Sequence, residues 1–129
     1  MTAPTTYTTK QVATLVGMSV SQIQYYDHLG LIPTLHRAPN GYRQFTPENV
    51  AWLQQVKIFA ASGMSLKDLR RITDLVLIGK PATIEQRRTI LSDHLTTLKH
   101  KQAEIRDQID FIQQFLDDYD TIEKGAHKN

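Results

Sequence analysis

Residues 37–45 read Arg-Ala-Pro-Asn-Gly-Tyr-Arg-Gln-Phe, and they follow a short segment that starts at Ser19 and carries Tyr25-Tyr26. Asn40-Gly41 is a strong short-range signal for a tight hairpin, because both residues tolerate φ > 0. Alternating residues flank it: Leu35 and Arg37 before, Tyr42, Arg43 and Phe45 after. A two-stranded ribbon with arginine on each arm suits a phosphate backbone. Its place just after a helix-turn-helix pattern makes it a wing.

That pattern is written in helix caps. Four Ser/Thr-x-x-Gln/Asp boxes occur, at Thr8…Gln11, Ser19…Gln22, Ser65…Asp68 and Thr83…Gln86. In each, the hydroxyl is expected to accept from the N3 amide while the N3 side chain bonds back. Thr46-Pro47 gives a fifth start, a cap followed by proline at N1. Helices are expected over about 10–16, 20–29 and 47–62, with a fourth from Leu66 to Ile72 or Ile78. Val12, Ala13 and Val16 should face inward from the first, and Val20, Ile23 and Tyr26 from the second. Two short helices joined by a turn containing Gly17 form a helix-turn-helix.

From Ile84 the period changes. A 4-3 ladder runs Ile84, Arg88, Leu91, Leu95, Leu98, Gln102, Ile105, Ile109, Ile112, Leu116, Tyr119, with no Gly or Pro between Thr83 and Lys124. This predicts a long coiled-coil helix. A stripe ~55 Å long cannot be buried on so small a front domain, so a homodimer is expected. Leu91, Leu95, Leu98, Gln102, Ile105, Ile109, Ile112 and Leu116 form its seam, and Gln102 is a register-setting polar contact. Antiparallel pairing is expected because it carries the two front domains to opposite ends of the coil, spaced for separate DNA segments. The fold expected is therefore mainly α. Residues 1–80 form a winged helix-turn-helix with a small two-stranded wing, 81–120 an antiparallel coiled-coil dimerisation helix, and 121–129 a frayed polar tail. Gly79-Lys80-Pro81 marks the boundary.

Composition narrows the function. The 129 residues include no cysteine, which excludes disulfides, thiolate metal sites and thiol chemistry. Residues 1–80 hold 8 Lys/Arg and 4 Asp/Glu, while 81–129 hold 7 and 9. A basic front fits a polyanion partner. No apolar run nears the roughly 18 residues of a membrane span and no signal pattern opens the chain, so a cytoplasmic protein without a membrane partner is expected. His28, His36, His94, His100 and His127 show no i, i+4 pairing, so neither a metal nor a cofactor is expected. With no Gly-rich phosphate loop and no nucleophile elbow, nothing points to an enzyme.

The spaced motifs Tyr7-Thr8-Thr9…Val12-Ala13…Gly17-Met18-Ser19-Val20, Tyr25-Tyr26-Asp27…Gly30-Leu31-Ile32, Asn40-Gly41-Tyr42-Arg43…Phe45 and Gly63-Met64-Ser65-Leu66…Leu69 occur in order. Over roughly residues 7–75 the chain resembles the N-terminal domain of the MerR (mercury-resistance regulator) family, and the heptad helix resembles that family's antiparallel dimerisation helix. The resemblance implies a dimeric regulator of transcription that binds a near-palindromic promoter operator. It further implies that the dimer sits between the −35 and −10 elements of an overlong spacer and distorts the DNA so that RNA polymerase can engage. The family usually has arginine immediately before the paired tyrosines, where this chain has Gln24, a side chain better suited to adenine than to guanine. Two other readings stand beside this one: a winged-helix architectural protein that bends DNA, and a coiled-coil interaction module that has lost DNA binding.

Ser19, Ser21, Gln22, Gln24 and Tyr25 lie at the start of the second helix, where a recognition helix reads bases. The plainer role for Ser19 and Gln22 is capping alone. Arg37, Asn40, Tyr42 and Arg43 form the wing, with Tyr42 and Arg43 expected on phosphates. The family usually appends a sensing region after the coil, and no separate effector domain is expected here. Two regulatory routes remain: an unidentified small apolar effector near Trp52, Phe59, Phe111, Phe115 and Tyr119, or control by concentration or another protein. Simple packing of those aromatics in the dimer is the plainer reading.

Overall fold

The computed structural model describes residues 5–79 and 81–127; Lys80 of the expected boundary and the last two residues of the expected tail lie outside them. The order is α1 (Thr9–Val16), α2 (Val20–His28), β1 (His36–Arg37), β2 (Arg43–Gln44), α3 (Pro47–Ala61), α4 (Leu66–Ile78) and α5 (Ile84–His127). The chain divides into two compact units, Met1–Ile90 and Leu91–Asn129.

The front unit starts its helices by reciprocal caps. Thr8 and Gln11, Ser19 and Gln22, and Thr46 and Asn49 each exchange both cap bonds. Ser65 accepts from Asp68 N at 3.1 Å. Thr83 departs from expectation. Its buried hydroxyl lies 3.1 Å from the Leu75 carbonyl, which also accepts from Gly79 N, and 3.0 Å from the Gly79 carbonyl, at the C-terminal end of α4. Gly17 closes α1 in the left-handed conformation, φ 68 and ψ 40, which lets the chain turn at once into α2.

Two apolar clusters hold this unit together. Val12, Val16, Met18, Ile23, Ile32, Phe45 and Leu53 form the first, and Leu31, Val56, Met64, Leu69 and Ile72 the second. Tyr26 packs on both. Ile90 packs on the second, so the front unit takes in the first turns of α5, past the expected 1–80 span. Val20, expected inside, is 36% exposed; Ile23, three residues on, fills the core position instead.

Two cations from the supporting helices seal the helix-turn-helix. Lys57 Nζ on α3 donates to Val16 O at 2.8 Å, and Arg70 Nη1 on α4 donates to Leu29 O at 2.9 Å. Each neutralises the negative end of a front helix. Asn49, only 2% exposed, accepts from Thr46 N and donates to Pro33 O, tying the start of α3 to the loop that leads into the wing.

The second unit is the rest of α5. The helix continues to His127, so residues 121–127 are helical rather than frayed. Thr121 donates to Asp117 O, and Gln113 and Gln114 bond Asp117 and Asp118 one turn on, local support that carries the helix past its apolar stripe. Within this unit most of the ladder is open to solvent among the described residues: apart from Leu98, its apolar members run from 41% exposed at Leu91 to 61% at Ile112. Leu98 is half-buried and Gln102 exposed. No helix among the described residues is long and apolar enough to cross a membrane.

Candidate nucleic-acid interface

The wing is a short antiparallel ribbon pairing His36 with Gln44 and Arg37 with Arg43. Its turn differs from the two-residue Asn-Gly type. Gly41 N donates to Ala38 O and Ala38 N to Tyr42 O, both at 2.8 Å. Among the described non-glycine residues only Thr34 has positive φ, so Asn40 stays on the negative side and Gly41 alone is left-handed, at φ 88. Pro39 presets the first turn position, and a left-handed glycine then restores the ladder, as in three-residue hairpin loops. Asn40 Oδ1 accepts from Tyr42 N at 3.1 Å, which fixes the backbone from which Tyr42 projects, 75% exposed.

The two wing arginines converge on one carboxylate of α2. Arg43 Nε donates to Asp27 Oδ2 at 2.7 Å and Arg37 Nη2 to the same oxygen at 3.2 Å. Arg43 and Asp27 are largely buried, with 20% and 17% side-chain exposure, whereas Arg37 is 52% exposed and also donates to Gly41 O. Arg43, read from sequence as a phosphate contact, thus spends its Nε on Asp27. The wing is clamped to the second helix by charge-assisted hydrogen bonds.

On α2, Ser19 Oγ accepts from Gln22 N and Gln22 Oε1 from Ser19 N, so both side chains serve the cap. Ser21, Gln22 and Gln24 are exposed, and Tyr25 is 51% exposed with its ring 6.3 Å from that of Tyr26.

An open groove of about 630 Å³ joins these parts, lined by Thr8, Thr9, Lys10, Val20, Gln24, Gly41, Tyr42 and Arg43. It brings the start of α1, the exposed side of α2 and the wing tip together. From sequence, Thr8 was read only as a cap, and Thr9 and Lys10 were given no place beside the wing. A signal was there: α1 and α2 carry no acid in their first turns, whereas α3, α4 and α5 carry Glu48, Asp68 and Glu85. An acid normally steadies the positive end of a helix. Its absence at both front helices, with Lys10 beside one of them, leaves two helix N-termini electropositive toward an anion.

The remaining aromatics fall in separate units. Trp52 Nε1 donates to Leu31 O at 2.8 Å, and Trp52 and Phe59 pack on the second core cluster. Phe111, Phe115 and Tyr119 form a file along α5, with ring centroids 5.2 and 6.3 Å apart.

These features define a winged helix-turn-helix protein with a long C-terminal helix. The profile described as "MerR HTH family regulatory protein" matches residues 7–75. An uncharacterized HTH-type transcriptional regulator of Haemophilus influenzae is 33% identical over 108 residues, 84% of this chain and 79% of that one. Among solved structures, HiNmlR, a MerR family regulator lacking the sensor domain and bound to promoter DNA, aligns with a TM-score of 0.79 at 32% identity, covering 91% of this chain and 92% of that one. A putative MerR family transcriptional regulator from Listeria monocytogenes aligns with a TM-score of 0.86 at 28% identity, covering 95% and 92%. The chain belongs to the MerR family of helix-turn-helix transcriptional regulators.

Proposed function

We propose that the protein binds a near-palindromic promoter operator as a homodimer and controls transcription by distorting the spacer so that RNA polymerase can engage. The observation that carries this is the shared groove: exposed Gln24 on α2, the wing tip at Tyr42 and the acid-free start of α1 open onto one surface. Ser21, Gln24 and Tyr25 enter the major groove, where the first turns of a recognition helix meet base edges. Tyr42, Arg37 and the free edge of Arg43 meet phosphates, as does Lys10, and fix the register. The solved relative HiNmlR, bound to promoter DNA, supports the same ligand here.

Anisotropy titration tests the ligand. A genomic fragment selected by the protein should bind at least about a thousandfold tighter than a shuffled duplex of equal length at physiological salt. Equal affinity for both would end the operator reading.

The exposed ladder of α5 forms the dimer seam, paired antiparallel. The chain has no cysteine, so single replacements report geometry directly. Gln102→Cys, near the centre of the ladder, should cross-link within the dimer, and Tyr119→Cys should not. Efficient linkage at 119 would contradict antiparallel pairing.

A further inference from the structure

We propose that Val20 is a base-reading residue, packing on the C5-methyl of a thymine beside an adenine held by Gln24, so that the core of each half-site read by α2 is A·T; this rests on the operator reading above.

The reading face of α2 carries no cation. Residues 20–28 hold no Lys or Arg, and the exposed side chains of the first turns are Val20, Ser21, Gln22, Gln24 and Tyr25. Bidentate recognition of guanine in the major groove uses arginine or lysine, and α2 offers neither. The nearby cations Lys10, Arg37 and Arg43 stand instead on α1 and the wing, where they suit phosphates. Gln22 gives its Oε1 to the Ser19 amide. Gln24 makes no side-chain bond among the described residues. Its Oε1 is therefore open to accept from adenine N6, and its Nε2 to donate to adenine N7.

Val20 stands one helical turn before Gln24 on the same side of α2, and both line the groove that opens toward Tyr42 and Arg43. It belongs to neither core cluster and is 36% exposed, so packing within the protomer does not account for its place. Four residues advance about 6 Å along a helix, between one and two base steps of ~3.4 Å. Val20 and Gln24 therefore reach base pairs that are adjacent or separated by one. An isopropyl group can neither donate nor accept a hydrogen bond. Thymine alone among the four bases presents a methyl group in the major groove, and burying the two against each other removes apolar surface from water.

The test uses the full chain and an operator selected from random duplex. Each thymine of a half-site is replaced in turn by deoxyuridine, which lacks the C5-methyl and keeps every hydrogen-bonding group. At one thymine the replacement should weaken binding by about fourfold in one half-site and by roughly fifteenfold when made in both. Val20→Ser, shown to be folded by Trp52 emission, should bind the thymine and uracil duplexes within about twofold of each other. A specific operator with no uracil penalty at any half-site thymine would overturn the assignment and leave the operator reading standing. A penalty that persists unchanged in folded Val20→Ser would do the same, giving the methyl group to another side chain or to the duplex itself. If no sequence is preferred over random duplex, the operator reading fails and this inference fails with it.

Discussion

Asp27→Asn is the sharpest perturbation of the interface, because one oxygen atom holds both wing arginines. The contact with Arg43 is short and largely screened from water, whereas the contact with Arg37 is longer and its arginine half-exposed. A charge-assisted hydrogen bond of the first kind contributes ~1.5–3 kcal/mol, and an exposed pair of the second kind less than ~1 kcal/mol. The substitution keeps the shape and removes the charge. It should cost about 2 kcal/mol, nearly all of it through Arg43. For a cooperative unit of roughly this size, that lowers Tm by roughly 8–16 °C.

Thermal unfolding followed by Trp52 emission measures it, since Trp52 belongs to the front unit and donates to Leu31 O. Double-mutant cycles divide the effect. Asp27 should couple to Arg43→Met by about 2 kcal/mol and to Arg37→Met by less than ~1 kcal/mol. Binding should change in the complementary sense. Loosening the wing lowers affinity for the selected operator, while the lost negative charge preserves or raises affinity for random duplex. A Tm within ~2 °C of the parent, or equal coupling to the two arginines, would refute the clamp.

Three further outcomes follow from other residues. Thr34, a β-branched residue at φ 57 after Pro33, occupies a turn position that favours glycine, so Thr34→Gly should stabilise the front unit by up to about 1 kcal/mol in chemical denaturation. Lys10→Ala should weaken binding to all duplexes alike and flatten the plot of log affinity against log salt by about 0.9, the loss of one phosphate contact; an unchanged slope removes Lys10 from the interface. Gln24→Arg should move the preferred base at one position of each half-site toward guanine in a selection from random sequence, and identical selected sequences would show that position 24 does not read bases.

Local rules made much of the fold legible. Reciprocal caps at Thr8 and Ser19 are short-range chemistry, and their residues alone specify them. Thr83 obeys the same rule on paper, yet its hydroxyl turns to the carbonyls ending α4, a demand visible only once α4 and α5 meet. The hairpin shows the same limit: Asn40-Gly41 announces a turn, but Pro39 moves its centre back one residue and leaves only Gly41 left-handed. The exposed positions of Gln24, Tyr25 and Tyr42 in the proposed interface were legible because a helix start and a wing tip are sequence features. Asp27 was not, because its role depends on two arginines ten and sixteen residues away. The place of Lys10 in the groove was not read from sequence, although the acid-free first turns of α1 and α2 were there to read.

Hydroxyl-radical footprinting of the tightest genomic fragment captured by the purified protein tests the regulator reading most directly. Two protected half-sites related by a dyad, lying within an overlong spacer between −35 and −10 elements, with altered cleavage at the centre, are the predicted result. Uniform protection without a dyad, or binding that vanishes evenly with salt on every fragment, would contradict it.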